Sequence, residues 1–315
     1  MPKKNLLVSI VVPVFNEAGV IENIHARIAA VVDTLPYEVE IYYVDDGSSD
    51  GTDAALEALA AQDSRIHPLT LSRNFGHQAA LTAGLDHAAG DVIISMDGDG
   101  QHPPEMIPQM VELVKQGYDV VQAQRIDEGS AFSFKKVTSE AFYWLINRIS
   151  GTPVRSGAAD FRALSRQALD ALKAMPEYHR FLRGMIAWIG YSTVILPFHE
   201  PKRVAGKSKY SLGKMLRLAS DAIFSFSLMP LYIGLSVGGI FIILALAQMV
   251  YVLVLWLTGQ YDKIVPGWSS LMAVLLIASG IIMILLGFIG VYVGYIFQQV
   301  KARPVYLIKK KESRE

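Results

Sequence analysis

Short apolar runs alternate with amphipathic segments over much of the first part of the chain. The apolar runs have the length of buried strands and lie at residues 8–14, 39–44, 67–71 and 92–96. The intervening segments have the apolar spacing of helices and lie at residues 20–34, 52–62 and 78–87. Such alternation is typical of a mostly parallel sheet that is covered by helices on both faces. We therefore predict an α/β fold of the Rossmann-like kind.

Two long stretches in the last third of the chain, residues 222–261 and 264–300, carry no charged residue. Each is longer than the roughly 20 apolar residues that cross a bilayer as a helix. We predict transmembrane helices at residues 230–257 and 268–297. A buried hairpin in a soluble protein is the alternative, but core helices rarely continue without a charge for this length. Small residues in the second helix favour association of membrane helices, including those of a second copy: Gly280, Gly287, Gly290 and Gly294.

Lysine and arginine residues cluster on the outer flanks of both predicted membrane helices, whereas the segment between them has only Lys263 beside Asp262. By the positive-inside rule, both outer flanks face the cytoplasm. The apolar run at residues 6–15 is too short to span a membrane and is followed by Asn16 and Glu17, so we interpret it as a strand. The sequence thus predicts a multi-pass plasma-membrane protein with both termini in the cytoplasm.

These boundaries divide the chain into four predicted parts. They are an α/β domain, a basic amphipathic juxtamembrane segment, a two-helix membrane region and a basic cytoplasmic tail, at residues 1–199, 200–222, 223–300 and 301–315. Residues 207–221 alternate cationic and apolar side chains, as does an interfacial helix that binds anionic lipid. Lys207 and Lys209 are therefore candidates for binding a phosphate at the level of the lipid headgroups.

The composition narrows the possible partners. Lys plus Arg and Asp plus Glu both number 29, so no net positive charge favours nucleic acid as a partner. The sequence has no cysteine, which excludes disulfides, thiolate metal sites and cysteine nucleophiles. Any metal must therefore be bound by oxygen or imidazole ligands.

Polar residues follow each of the four predicted strands. They are Asn16 and Glu17 after the first, residues 45–48 after the second, 72–74 after the third and 97–101 after the fourth. Any one of these loops is compatible with an ordinary turn. In a parallel sheet, however, ligands collect at the carboxyl ends of the strands, so four consecutive polar loops indicate one binding site.

The fourth loop places Asp97 and Asp99 two residues apart at the end of a buried strand. Two converging carboxylates are costly to keep ionised without a cation. A hard metal such as Mg²⁺ or Mn²⁺ resolves this, with Gln101 as a further oxygen ligand. A solvated turn is the alternative. An EF-hand is excluded, because Pro103 and Pro104 interrupt the loop and no acidic residue stands at its twelfth position.

Four motifs resemble the family-2 glycosyltransferases of the GT-A fold: VVPVFNE at 11–17, VDDGSSDGT at 44–52, SRNFGHQAAL at 72–81 and MDGDGQHPPE at 96–105. The resemblance is closer to the polyprenyl-phosphate hexose transferases, which include dolichyl-phosphate mannose synthase and the bactoprenol glucosyltransferases of O-antigen modification. It extends through ADFRALSR at 159–166, HRFLRGMIAWIG at 179–190, RVAGKSKYS at 203–211 and KARPVY at 301–306, and so covers nearly the whole chain.

On the donor side, the resemblance implies that a nucleotide-sugar is held by the polar strand ends. The residues implied for the base and ribose are Pro13, Phe15, Glu17 and Asp46, with Arg73 nearby. The residues implied for the metal that bridges the diphosphate are Asp97, Asp99 and Gln101. Arg203 matches an arginine that clamps the diphosphate, although an ordinary juxtamembrane positive charge is the alternative.

On the acceptor side, the resemblance implies that Asp160 is the usual candidate for a catalytic base. A lipid monophosphate has a second pKa of about 6 and is largely ionised at neutral pH, so its attack does not require a strong base. Asp160 is then a candidate for orienting the acceptor or the neighbouring Arg162. Arg125 is a further candidate for binding the acceptor phosphate, with a solvated surface position as the alternative.

The reaction implied is an inverting, metal-dependent transfer of a hexose, glucose from UDP-glucose, to undecaprenyl phosphate at a bacterial inner membrane. The product would serve modification of a cell-surface glycan such as the O-antigen of lipopolysaccharide. The main alternative is the same reaction with GDP-mannose or another UDP-sugar. A processive polysaccharide synthase is a weaker alternative, because it needs more membrane helices and a Gln-x-x-Arg-Trp motif where this chain has His179, Arg180 and Phe181. A non-enzymatic scaffold does not need paired aspartates at a strand end.

Overall fold

The computed structural model describes residues 6–126, 158–199, 229–259 and 267–309 of the 315-residue chain. The chain divides into two compact units. The first comprises Met1–Ala219 together with Arg303–Glu315, and the second comprises Ser220–Ala302. The C-terminal tail therefore belongs to the same unit as the α/β domain.

The first unit is built from seven strands and six α-helices in its described part. The strands are β1 Leu7–Val14, β2 Glu38–Asp45, β3 Ile66–Thr70, β4 Val92–Ser95, β5 Val120–Arg125, β6 Ala158–Ser165 and β7 Thr193–Phe198. The helices are α1 Ile21–Val32, α2 Thr52–Gln62, α3 His77–His87, α4 Ile107–Lys115, α5 Arg166–Lys173 and α6 Leu182–Trp188. A short 3₁₀ turn, Pro104–Met106, precedes α4.

The seven strands form one sheet in the order β3-β2-β1-β4-β6-β5-β7. Strand β6 runs antiparallel to β4 and β5, and the other neighbouring pairs are parallel. The prediction of a mostly parallel α/β sheet is confirmed. The four predicted strands correspond to β1, β2, β3 and β4, and each predicted end lies within one residue of the observed end. The predicted strands do not include β5, β6 or β7. Strand β6 separates β4 from β5 and places residues 158–165 in the interior of the sheet.

Burial explains why the central strands have continuous apolar sequences. Every residue of β1 from Val8 to Val14 is buried, because helices cover both faces of the sheet. Helix α1 packs Ile21, Ile24, Ile28 and Val32 against the core at helical spacing. Helix α3 approaches β1 so closely that a Cβ atom on Gly84 would lie 2.2 Å from Cγ1 of Val11.

The second unit contains two long helices, α7 Met229–Leu257 and α8 Trp268–Val300. Both are long and apolar enough to cross a membrane, with mean hydropathy of 2.7 in Ser236–Leu257 and 2.3 in Ile277–Val300. The two helices meet where a Cβ atom on Gly234 would lie 2.2 Å from Cδ2 of Leu285. The glycines predicted for helix association have open space around them instead: Gly280, Gly287, Gly290 and Gly294.

Candidate active site

The loops after β1 and β2 are joined by hydrogen bonds into one wall of the site. The Asn16 amide donates to Ser48 Oγ (2.8 Å), and the Ser49 amide donates to Asn16 Oδ1 (3.0 Å). The Glu17 amide donates to Thr52 Oγ1 at the start of α2 (3.0 Å). Asn16 adopts a φ of 54°, in the left-handed region that asparagine tolerates better than most residues. The two loops are thus fixed relative to one another.

Several residues that the resemblance assigns to the nucleotide lie along this wall. Pro13 is buried near the end of β1, and Phe15 and Glu17 are half-buried directly after it. Arg73 is exposed in the loop after β3, and its guanidinium carbon lies 4.1 Å from the centre of the Phe75 ring. Stacking on an aromatic face limits the positions of this guanidinium group.

Asp46 holds the loop that leads into α3. Its carboxylate accepts hydrogen bonds from the amides of Phe75 (2.7 Å) and Gly76 (2.9 Å). Burial raises the pKa of Asp46, while these two N–H groups lower it. A Cβ atom on the neighbouring Gly47 would lie 2.4 Å from the carbonyl carbon of Arg73, so glycine permits this close approach. Asp46 therefore connects the end of β2 to the Arg73 loop.

The loop after β4 presents an acidic oxygen suited to a metal. Asp97 Oδ1 is buried and accepts no hydrogen bond, although His77 Nε2 lies 3.4 Å away. A carboxylate oxygen without a hydrogen bond is available as a metal ligand. Asp99 Oδ1 accepts a hydrogen bond from the Gln101 amide at 3.0 Å. Within the described ranges, no group of three or more His, Asp and Glu residues is arranged to hold a metal ion. The described residues of this loop therefore supply only part of the ligands that a divalent metal needs, and phosphate oxygens of a bound substrate would complete its coordination shell.

His102 and two glycines shape this acidic loop. The Asp97 amide donates to His102 Nδ1 (2.8 Å), and the His102 ring stacks on Phe161 with centroids 5.0 Å apart. A Cβ atom on Gly98 would lie 2.6 Å from Cγ1 of Val14. Gly100 has a φ of 77°, which favours glycine. The repeated Gly in Asp-Gly-Asp-Gly thus serves close packing at the first position and backbone conformation at the second.

A second carboxylate, Asp160 on β6, is surrounded by cationic side chains. The Arg183 guanidinium donates to both of its oxygens, from Nε to Oδ1 at 3.1 Å and from Nη2 to Oδ2 at 2.9 Å. Arg162 Nη2 lies 2.5 Å from Oδ1. His77 Nε2, at the start of α3, lies 3.5 Å from Oδ2. Asp160 is only 5% exposed, whereas the side chains of Arg183 and His77 are 24% and 43% exposed, so a buried carboxylate lies beneath two partly exposed cationic groups.

The electrostatics of this cluster bear on the role of Asp160. Burial acts to raise its pKa, but Arg183, the His77 hydrogen bond and Arg162 together hold the pKa well below the usual value. A carboxylate with so low a pKa is a weak proton acceptor at neutral pH. Of the roles that the sequence leaves open for Asp160, the structure favours an orienting one.

His77 lies between the acidic loop after β4 and the cluster around Asp160. Its Nε2 lies 3.4 Å from Asp97 Oδ1 as well as 3.5 Å from Asp160 Oδ2. Burial lowers the pKa of His77, but the hydrogen bond to Asp160 and the charge of Asp97 outweigh burial and raise the pKa to about 9. The acidic loop after β4 and the Asp160 cluster are therefore parts of one continuous site.

Sequence reasoning missed His77, Arg183 and His102 as site residues. His77 lies within the motif SRNFGHQAAL and Arg183 within HRFLRG, but neither position is distinguished by charge alone. The structure brings His77 and Arg183 to Asp160 because β6 crosses between β4 and β5. Recognising His77 and Arg183 as neighbours of Asp160 would have required a prediction of the antiparallel strand β6.

The residues predicted to bind the acceptor, and Arg203, which was predicted to clamp the donor diphosphate, have different positions in the structure. Arg162 is only 2% exposed and is turned toward Asp160, so its guanidinium is not on the surface. Arg125 is exposed at the end of β5. Arg203, Lys207 and Lys209 lie outside the described residues. The assignments of all these residues to ligands remain predictions.

Comparison with known proteins identifies the family. The sequence matches the family model described as "Glycosyl transferase family 2" over residues 9–173, which run from β1 through α5. A prophage-derived bactoprenol glucosyl transferase of Shigella flexneri is 39% identical over 96% of this chain and 97% of its own length. An uncharacterized glycosyltransferase of Bacillus subtilis is 38% identical over 98% of this chain and 94% of its own.

A solved structure supports the same fold. Mannosyl-3-phosphoglycerate synthase from Rubrobacter xylanophilus aligns with a TM-score of 0.50 at 19% identity, over 83% of this chain and 78% of that one. The predicted GT-A fold is thereby confirmed, with two apolar helices after it. Together with the family match over residues 9–173, these relatives show that the chain belongs to glycosyl transferase family 2 and is a glycosyltransferase.

Proposed function

We propose that this glycosyltransferase moves a hexose, glucose from UDP-glucose, onto polyprenyl phosphate with inversion at the anomeric carbon. The observation that carries the proposal is the continuous site in which His77 links the acidic loop at Asp97 to the cationic cluster at Asp160. Such a site combines an acidic half for a metal-bound diphosphate with a cationic half for a second phosphate. The similarity to the Shigella flexneri bactoprenol glucosyl transferase supports a polyprenyl phosphate acceptor.

The acidic half suits the donor. A Mg²⁺ or Mn²⁺ ion, when bound, would neutralise the charge that develops on the departing nucleoside diphosphate. Asp97 and Asp99 would hold that ion, with Gln101 as a further oxygen ligand. The unsatisfied Asp97 Oδ1 supports this assignment. The wall formed by Phe15, Glu17 and the loop after β2 would receive the nucleoside.

The cationic half suits the acceptor. Asp160 fixes the Arg183 guanidinium through two hydrogen bonds, and the Arg183 side chain is 24% exposed. A guanidinium oriented in this way would bind a phosphate monoester and direct one of its oxygens toward the anomeric carbon. That oxygen is already ionised at neutral pH, so the attack needs no proton transfer to Asp160.

The two apolar helices fit an acceptor that resides in a membrane. We place α7 and α8 across the bacterial inner membrane with both flanks in the cytoplasm, because the cationic residues lie on these flanks. The basic segment with Lys207 and Lys209 would then meet the lipid phosphates on the side of the catalytic domain.

Purified protein in detergent tests the proposal. With UDP-glucose, undecaprenyl phosphate and Mn²⁺, it should form a lipid-extractable product whose mass equals that of the acceptor plus one hexose. The product should depend on the acceptor and disappear in EDTA. A panel containing GDP-mannose and other UDP-sugars, scored by product mass, would identify the donor. Full activity in EDTA or addition of several hexoses to one lipid would contradict the proposal.

A further inference from the structure

The C-terminal tail returns to the α/β domain after the last helix and pairs with it. Leu71, directly after β3, forms an antiparallel bridge with Ile308. The Ser72 amide donates to the Leu307 carbonyl (2.8 Å), and the Lys309 amide donates to the Thr70 carbonyl (2.8 Å). Because β3 is the outermost strand of the sheet, the tail covers an edge whose backbone groups would otherwise face solvent.

A side-chain contact fixes the same tail to α3. The Tyr306 hydroxyl donates to Asp86 Oδ2 in the last turn of α3 at 3.1 Å. Burial, followed by the charge of Asp86, raises the pKa of Tyr306, so the hydroxyl keeps its proton and remains a donor. The tail thus contacts both the loop that precedes α3 and the end of that helix.

The segment that the tail contacts is held from its other side by β2. The Leu71 amide donates to the Asp45 carbonyl (2.8 Å), and the Phe75 amide donates to the Asp46 carboxylate (2.7 Å). Residues 70–76 therefore lie between the end of β2 and the tail. Arg73, which the resemblance places near the nucleotide, is in the middle of this segment.

We propose that residues 303–309 are a positioning strap that holds the Arg73 loop in its nucleotide-binding conformation. The inference rests on the proposed function for its ligand, while the docking itself rests on hydrogen bonds within the first unit. Without the strap, the loop loses the hydrogen bond from the Ser72 amide to Leu307 and the bridge at Leu71, and the nucleotide must order residues 73 and 74 as it binds. Such ordering reduces affinity without changing the groups that perform the reaction.

Substitutions at Lys309 distinguish the effect of its backbone hydrogen bond from the effect of its side chain. Lys309→Pro removes the N–H that bonds to Thr70, whereas Lys309→Ala keeps it and serves as the matched control. A proline at this position also restricts Ile308 to extended backbone, which the bridge with Leu71 already requires. Tyr306→Phe is a second variant, because it removes only the hydrogen bond to Asp86.

Two measurements on the full-length protein test the strap. Residue-resolved hydrogen exchange should show faster exchange at the Ser72 amide in Lys309→Pro, with Leu71 unchanged because its partner is Asp45. Calorimetric titration with UDP and Mn²⁺ should show affinity about 2- to 10-fold weaker, as expected for the loss of one hydrogen bond. KM for UDP-glucose should rise by a similar factor with kcat nearly unchanged, and Lys309→Ala should match the wild type.

The outcomes distinguish the strap from the proposed function. Unchanged exchange at Ser72 in both Lys309→Pro and Tyr306→Phe would overturn the docking. Faster exchange with unchanged UDP affinity would overturn the positioning role, as would an equal loss of affinity in Lys309→Ala. A wild-type protein that protects Ser72 but neither binds UDP nor makes glycolipid would overturn the proposed function and leave the docking established.

Discussion

Asp97 and Asp160 are two carboxylates of one site that share His77 but differ in their other partners. Asp97 Oδ1 lies 3.4 Å from His77 Nε2 and accepts no hydrogen bond, whereas Asp160 lies 3.5 Å from the same nitrogen and also receives hydrogen bonds from Arg162 and Arg183. The first is suited to a cation that arrives with the substrate. The second has its cations supplied by the protein, and its oxygens accept hydrogen bonds that hold Arg162 and Arg183 in place. The partners of a carboxylate indicate its role better than its place in a motif does.

Removing the charge of Asp160 should have the largest effect. In Asp160→Asn, the fully buried Arg162 loses its counter-ion, and breaking a buried pair costs about 3–5 kcal/mol of unfolding free energy. We expect a fall in Tm that is absent from the control Asp170→Asn, whose carboxylate is exposed near Arg166. Thermal unfolding followed by circular dichroism measures this. An unchanged Tm would show that Asp160 does not anchor Arg162.

The pH dependence of this loss has a defined sign. The folded state depresses the pKa of Asp160, so its contribution to stability is present above the unfolded pKa of about 3.9 and is lost as pH falls through the lower folded value. The Tm difference between the wild type and Asp160→Asn should therefore stay nearly constant from about pH 6 to 5, below the range in which His77 titrates, and narrow below about pH 4. A difference that disappears between about pH 6 and 5 would contradict the low pKa.

A substitution in the acidic loop after β4 should reduce activity while leaving the stability of the protein nearly unchanged. Asp99→Asn removes one charge from the proposed metal site, and the loss of one group that stabilises developing charge typically costs about 10²- to 10³-fold in kcat. The rate of glycolipid formation at saturating donor measures the effect, with Asp170→Asn again as the control. A rate within about threefold of the wild type would remove Asp99 from the proposed metal site.

Arg183→Lys should have a smaller effect that separates charge from geometry. Lysine keeps the positive charge but does not reproduce the two hydrogen bonds to Asp160. We expect KM for polyprenyl phosphate to rise about 10-fold, the scale of one hydrogen bond to a charged group, with KM for UDP-glucose unchanged. An increase confined to the donor KM would assign Arg183 to the other half of the site.

The sequence was informative where local pattern decides structure. Each strand from β1 to β4 is a local apolar run, and the polar loops after them follow from parallel topology, so that edge of the sheet was predictable. Strand β6 carries Asp160 and Arg162 into the core at positions that apolar periodicity does not indicate. Its antiparallel insertion is a long-range choice, and the contacts of His77 and Arg183 depend on it.

The tail illustrates the same limit. The sequence predicts a basic cytoplasmic tail after the second apolar helix, because charge is the clearest local feature of these residues. The pairing of Ile308 with Leu71 joins positions far apart in the sequence through backbone hydrogen bonds. Backbone groups are the same at every residue other than proline, so composition does not reveal which edge such a segment will cover.

Binding of Mn²⁺ in the presence of UDP, measured by electron paramagnetic resonance, tests the contrast between the acidic loop after β4 and the Asp160 cluster most directly. The wild type, Asp99→Asn and Asp160→Asn would be compared at low temperature, with the folded fraction of each determined by circular dichroism. The account predicts that Asp99→Asn loses the bound Mn²⁺ signal, whereas folded Asp160→Asn keeps it with a similar Kd. Retention of Mn²⁺ by Asp99→Asn together with its loss from folded Asp160→Asn would contradict the account.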